Sequence, residues 1–131
     1  VTTVVDTSVL IDHLRGDARA STALAAVRAE GSTPSASVLT KAELLAGMRA
    51  SECADTRALM APIEWLDVDD DLAERAGALA ARFVRSHPGI ELVDFVIAAT
   101  AERLDARLMT RNRKHFPMFP HLRDPYEPGA A

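Results

Sequence analysis

Four oxygen-bearing residues stand where this chain could do chemistry: Asp6, Glu43, Asp94 and Asn112. Asp6 interrupts an apolar run, with Val4 and Val5 before it and Val9, Leu10 and Ile11 after it. Asp94 shares a helical face with Ile97, Ala98 and Ala101, small apolar residues that a fold would cover. An unpaired carboxylate on such a face is costly unless something cationic meets it. Carboxylates converging in one cleft also raise one another's pKa. No lysine or arginine lies in the apolar segments that carry Asp6 and Asp94, so a divalent ion is the simplest counter-charge. Hard oxygen donors without His or Cys select Mg²⁺ or Mn²⁺ over Zn²⁺. Such an ion takes one or two protein carboxylates and leaves room for a substrate phosphate. The chemistry that fits is phosphodiester hydrolysis by a metal-activated water.

Each of these residues also has a plainer reading. Asp6 can cap the helix that follows it. Thr40 and Glu43 match the S/T-x-x-E capping box, Asp94 can complement a helix dipole in the first turn, and Asn112 is a common turn residue. The signal is their joint placement at the ends of elements.

Those elements alternate. Residues 2–5 read as a short buried strand, followed by helical turns over 9–14 and an amphipathic helix over 18–30 that ends at Gly31. A strand over 33–37, helices over 38–48 and 50–60, and a strand over 63–68 come next. Helices over 72–85 and 91–104 and a strand over 106–109 complete the pattern. The Pro-rich remainder after Pro117 reads as irregular, with room for one edge strand. Strands alternating with helices point to an α/β layer with a parallel sheet. In such sheets ligands bind outside the carboxyl ends of the strands, and all four residues fall at or near those ends.

The totals agree with one domain over residues 1–131, irregular from about 120. A net charge of −4 excludes nucleic-acid binding by bulk charge alone, and 5% aromatic content argues against a base-stacking platform. The single cysteine, Cys53, has no partner for an internal disulfide and reads as a buried or half-buried structural thiol. No apolar run is long enough for a membrane span and no basic-then-apolar leader pattern is present, so the expected location is the cytoplasm.

Four stretches occur in order: VVDTSVLIDHL, LTKAELLAGM, ELVDFVIAATAERL and LMTRNRKHFPMF. Together, from about Val4 to Phe119, they resemble the PIN-domain ribonucleases, and among them the VapC toxins of bacterial toxin–antitoxin pairs. The resemblance implies a PIN-like three-layer α/β/α fold with a short, mostly parallel sheet and an acidic pocket for Mg²⁺ or Mn²⁺. It carries catalytic and metal-binding roles onto Asp6, Glu43 and Asp94, with Asp6 and Asp94 the firmer pair. The fourth family position, often an aspartate, falls on Asn112, whose amide oxygen brings less charge and puts a second tightly held ion in doubt. Thr7, Ser8 and Thr110 fall where the family places hydroxyls beside the acids, as supporting or substrate-binding groups.

The implied substrate is structured cellular RNA, transfer or ribosomal. The implied partners are a cognate VapB-type antitoxin and a second copy of the chain in a homodimer, with DNA reached only through the antitoxin and no membrane. Arg111, Arg113 and Lys114 beside Asn112, with Arg103 and Arg107 shortly before, form the candidate phosphate-contacting rim. His115 reads as a packing or phosphate-contact residue. A dehalogenase-type hydrolase would need an aspartate where Ser8 stands, and a receiver domain needs an acidic pair and a late lysine that are missing. The alternative from another class is a weak or inactive PIN-like module that only binds antitoxin or RNA.

Overall fold

The computed structural model describes residues 2–126. It begins with β1 (Thr2–Val5), whose valines are fully buried. Successive strand residues face opposite sides, so Val4 enters one apolar cluster and Val5 another. The sheet has the order β3-β2-β1-β4, and every pairing is parallel. Here β2 is Thr33–Ser37, β3 Glu64–Leu66 and β4 Arg107–Met109.

On the Val4 face lie α5 (Asp70–Phe83) and α6 (Leu92–Leu104), which bury Leu72, Ala76 and Leu79 against Phe95, Ile97 and Ala101. On the Val5 face, α1 (Thr7–Leu14), α2 (Ala18–Ala29), α3 (Val38–Gly47) and α4 (Cys53–Met60) contribute Val9, Leu10, Ala20, Leu44 and Met60. The result is the expected three-layer α/β/α arrangement. Because all strands run the same way, their carboxyl ends share one edge, and Asp6 and Thr110 follow directly from β1 and β4 at that edge.

Departures from the sequence reading have local causes. Helix α1 starts at Thr7, two residues before position 9, because the Asp6 side chain accepts the Thr7 N–H. The helix expected over 50–60 is broken into a 3₁₀ turn, Ala50–Glu52, and α4. Cys53, expected inside, is exposed: it opens α4 at that break, and Thr56 and Met60 are the inward residues. Strand β3 shortens to an edge pairing with β2 alone. No strand forms between 117 and 126, where the chain returns through turns. Among the described residues no helix is long and apolar enough to cross a membrane.

Candidate metal-binding acidic site

Asp6 is 3% exposed and caps α1. Its Oδ1 accepts from Thr7 N at 2.9 Å, and its Oδ2 accepts from Ser8 Oγ at 2.9 Å and Thr110 Oγ1 at 2.7 Å. The backbone joins in, since Asp6 N donates to Met109 O at 2.9 Å. These bonds fix the carboxylate where β1 and β4 end, and among the described residues no lysine or arginine pairs with it.

Glu43 reaches the same corner from α3. Its Oε1 accepts from Thr7 Oγ1 at 2.7 Å, and that hydroxyl lies 3.0 Å from the buried Thr40 Oγ1. Thr7 therefore links Asp6, through its N–H, to Glu43, through its hydroxyl. The capping-box reading of Thr40 and Glu43 does not hold. Ser37 caps α3 by accepting from Leu39 N at 3.2 Å, so Glu43 lies in the second turn, where its side chain reaches Thr7.

Asp94 lies in the first turn of α6, its side chain 15% exposed. The dipole reading is partly right, because Oδ2 accepts from Glu91 N at 3.1 Å. The same oxygen lies 3.2 Å from His115 Nδ1. Burial pushes the Asp94 carboxyl above the ordinary carboxylate range. The Glu91 N–H and His115 oppose that shift, while the charges of Asp6 and Glu91 add to it. Asp6 and Asp94 thus feel each other as like charges.

The loop after β4 is keyed to Asp6 by Thr110, whose Oγ1 also accepts from Asn112 N at 2.9 Å. Asn112 itself is exposed on this loop. Residues 111–115 and Asp124 line a surface cleft. Arg111 is engaged by Asp12 at 3.1 Å and Arg113 by Asp124 at 3.0 Å, whereas Lys114 is exposed without a protein partner among the described residues. Arg103 and Arg107 do not belong to this rim. Arg103 sits at the far end of α6 from Asp94, paired with Asp69 at 2.7 Å. Arg107 opens β4, at the opposite edge of the sheet, and pairs with Glu30 at 2.6 Å. Sequence reasoning missed the contact of His115 with Asp94 and the roles of Asp12 and Tyr126 in holding Arg111. Only contacts distant in sequence create these, so no local pattern announced them.

Comparison with known proteins adds the family. A model described as the PIN domain matches residues 3–121. The chain belongs to the PIN-domain family. This PIN domain is 46% identical over 123 residues to Ribonuclease VapC19 of Mycobacterium tuberculosis, covering 94% of this chain and 98% of that protein. It is 42% identical to Ribonuclease VapC10 of the same organism, with 94% and 92% covered. A toxin–antitoxin complex from Klebsiella pneumoniae contains a chain of the same fold, with a TM-score of 0.77, 28% identity, and 95% and 98% of the two chains covered.

A family of this kind implies a bound divalent ion, and the side chains can be tested for it. Among the described residues no group of three or more His, Cys, Asp or Glu side chains is placed to hold a metal. Glu43 turns its Oε1 to the hydroxyl of Thr7, whose N–H is bonded to Asp6. The remaining pair fits a hard cation of another kind. Asp6 is buried and Asp94 half-buried, both offer only oxygen, and among the described residues no lysine or arginine pairs with either. A hard ion that keeps most of its waters needs only such a pair.

Proposed function

We propose that this PIN domain is a metal-dependent endoribonuclease, the toxin of a toxin–antitoxin pair acting in the cytoplasm on structured cellular RNA such as transfer or ribosomal RNA. One observation carries the reading: buried Asp6, held by three donors at the carboxyl end of β1, repels a half-buried Asp94 that no lysine or arginine among the described residues neutralises. Asp6 and Asp94 would hold Mg²⁺ or Mn²⁺, with Glu43 and Asn112 at the margin. The ion, when bound, supplies an activated water and stabilises the leaving oxygen. The chain's own part is orientation. Ser8 and Thr110 fix Asp6, Thr7 ties Glu43 to it, and Lys114 meets the RNA backbone.

The antitoxin partner is supported by the toxin–antitoxin complex that shares this fold, and homodimer formation remains part of the same proposal. Purified, antitoxin-free protein should cut total RNA only with Mg²⁺ or Mn²⁺, and Asp94→Ala should abolish cutting. Cleavage without added metal, or undiminished in Asp94→Ala, sinks the reading. A second reading, a weak or inactive module that binds antitoxin or RNA, is favoured by the side chain of Glu43 facing Thr7 and by the contact of His115 with Asp94. Tight RNA binding without cleavage would select it.

A further inference from the structure

The bonds that fix Asp6 continue beyond Ser8. Ser8 Oγ donates to Asp6 Oδ2 and accepts from Arg111 N at 3.1 Å. The Arg111 side chain is itself pinned. Its Nη1 donates to Asp12 Oδ2 at 3.1 Å, and its guanidinium lies 4.7 Å from the centre of the Tyr126 ring. Tyr126 completes the figure by donating its hydroxyl to the same Asp12 oxygen at 2.7 Å. Next to it, Arg113 pairs with Asp124 and reaches Leu122 O at 3.5 Å. Residues 122–126 thus lie as a strap across α1 and the loop after β4.

We propose that Tyr126 is a positioning residue for Asp6. Through Asp12 and Arg111 it holds the 110–112 segment in the one register where Ser8 and Thr110 both donate to Asp6 Oδ2. Two features favour this over a role for Arg111 in gripping RNA. Its charge is already matched by Asp12, and its flat face is covered by the tyrosine, so a phosphate would have to displace both. Groups one step behind a ligand, here Ser8 and Thr110, set ligand orientation, and their loss typically lowers metal affinity or activity about 10–100-fold. Tyr126 acts on Ser8 through Asp12 and Arg111, so its own effect belongs at the lower end of that range. The consequence for ion binding rests on the reading of Asp6 and Asp94 given above; the ordering of the loop does not.

The test compares the parent with Tyr126→Phe, which keeps the ring over Arg111 and removes the hydroxyl, and with Asp12→Asn, whose amide oxygen still accepts from both neighbours. Three quantities are read: amide hydrogen exchange at Arg111 without metal, affinity for Mn²⁺ alone by electron paramagnetic resonance, and RNA cleavage resolved into kcat and KM. Tyr126→Phe should melt like the parent, exchange the Arg111 amide faster and bind Mn²⁺ about tenfold more weakly. It should also lose kcat at constant KM, and Asp12→Asn should retain most of the protection. Parent-like exchange and Mn²⁺ affinity in Tyr126→Phe overturn the proposal. A parent that neither binds Mn²⁺ nor cuts RNA overturns the proposed function instead, and the Arg111 exchange rate then decides the strap alone.

Discussion

Thr110 donates its hydroxyl to Asp6 Oδ2 at 2.7 Å, joining the ends of β1 and β4 across 104 positions of sequence. Both residues are buried, and the same hydroxyl accepts from Asn112 N. One side chain therefore orients the acid and shapes the loop bearing Asn112. Thr110→Val keeps the shape and removes both bonds. Urea denaturation should register a loss of about 2–4 kcal/mol, the summed worth of one neutral bond and one to a charged carboxylate. Cleavage should fall about tenfold or more, as for groups behind a metal ligand. A variant that cuts RNA like the parent would show that the bond serves folding alone.

Asp94→Asn separates function from stability. Burial and the charge of Asp6 hold the Asp94 carboxyl above its ordinary range in the folded state. A raised value means that the folded chain gains from the protonated acid at low pH, and that this gain is lost as pH rises through the shifted value. At neutral pH without metal, the ionised Asp94 therefore weakens the fold. Asp94→Asn should melt higher than the parent at neutral pH, match it in acid, and lose both RNA cleavage and the stabilisation by Mg²⁺. Thermal melts across pH, with and without Mg²⁺, check this; a lower melting point at neutral pH would refute it.

How far these positions could be read in advance depended on how local their causes are. Strand β2 falls on residues 33–37 as expected because the turn at Gly31 precedes it and the Ser37 cap of α3 ends it, although Pro34, Ser35 and Ala36 are poor strand formers by themselves. Asp6 stood out because one acid broke an apolar run that the sheet must bury. Glu43 was harder. Ser37 and Thr40 are both plausible caps, and only the packed chain shows that Ser37 takes the role and leaves Glu43 to Thr7. The basic cluster misled for a similar reason, since sequence shows charge and not its partner. Arg111 finds Asp12, Arg113 finds Asp124 and Arg103 finds Asp69, so most of the anticipated rim is already neutralised.

That neutralisation makes Lys114 the residue of the rim most available to RNA. Lys114→Ala should weaken binding across sequences and reduce the slope of log affinity against log salt by about one. Arg103→Ala, at the distant end of α6, should leave the slope unchanged. Filter binding over a salt series measures both, and equal slopes for Lys114→Ala and the parent would remove Lys114 from the interface.

A different site tests the core. Ser35, in the middle of β2 between Val4 and Glu64, is fully buried, and its hydroxyl has no hydrogen-bond partner among the described residues. A buried unsatisfied hydroxyl costs free energy that its removal returns, so Ser35→Ala should stabilise the chain by about 1 kcal/mol. Chemical denaturation at unchanged cleavage activity checks this, and a destabilised variant would mean that the hydroxyl is satisfied in solution.

Tyr126 offers a spectroscopic readout of the strap, because the sequence contains one tyrosine. Burial, aided by the hydrogen bond to Asp12 and opposed by Arg111, pushes its ionisation from 10.0 up to about 12. A phenol whose folded value is raised contributes stability below its ordinary value, and that contribution disappears as pH climbs through the raised one. Ultraviolet titration, with circular dichroism reading unfolding separately, should find the folded phenol still protonated well above the ordinary tyrosine range. Asp12→Asn, which removes the negative charge while leaving an acceptor, should move the midpoint down. An ordinary midpoint in the folded parent would mean that the Tyr126–Asp12 bond does not persist in solution.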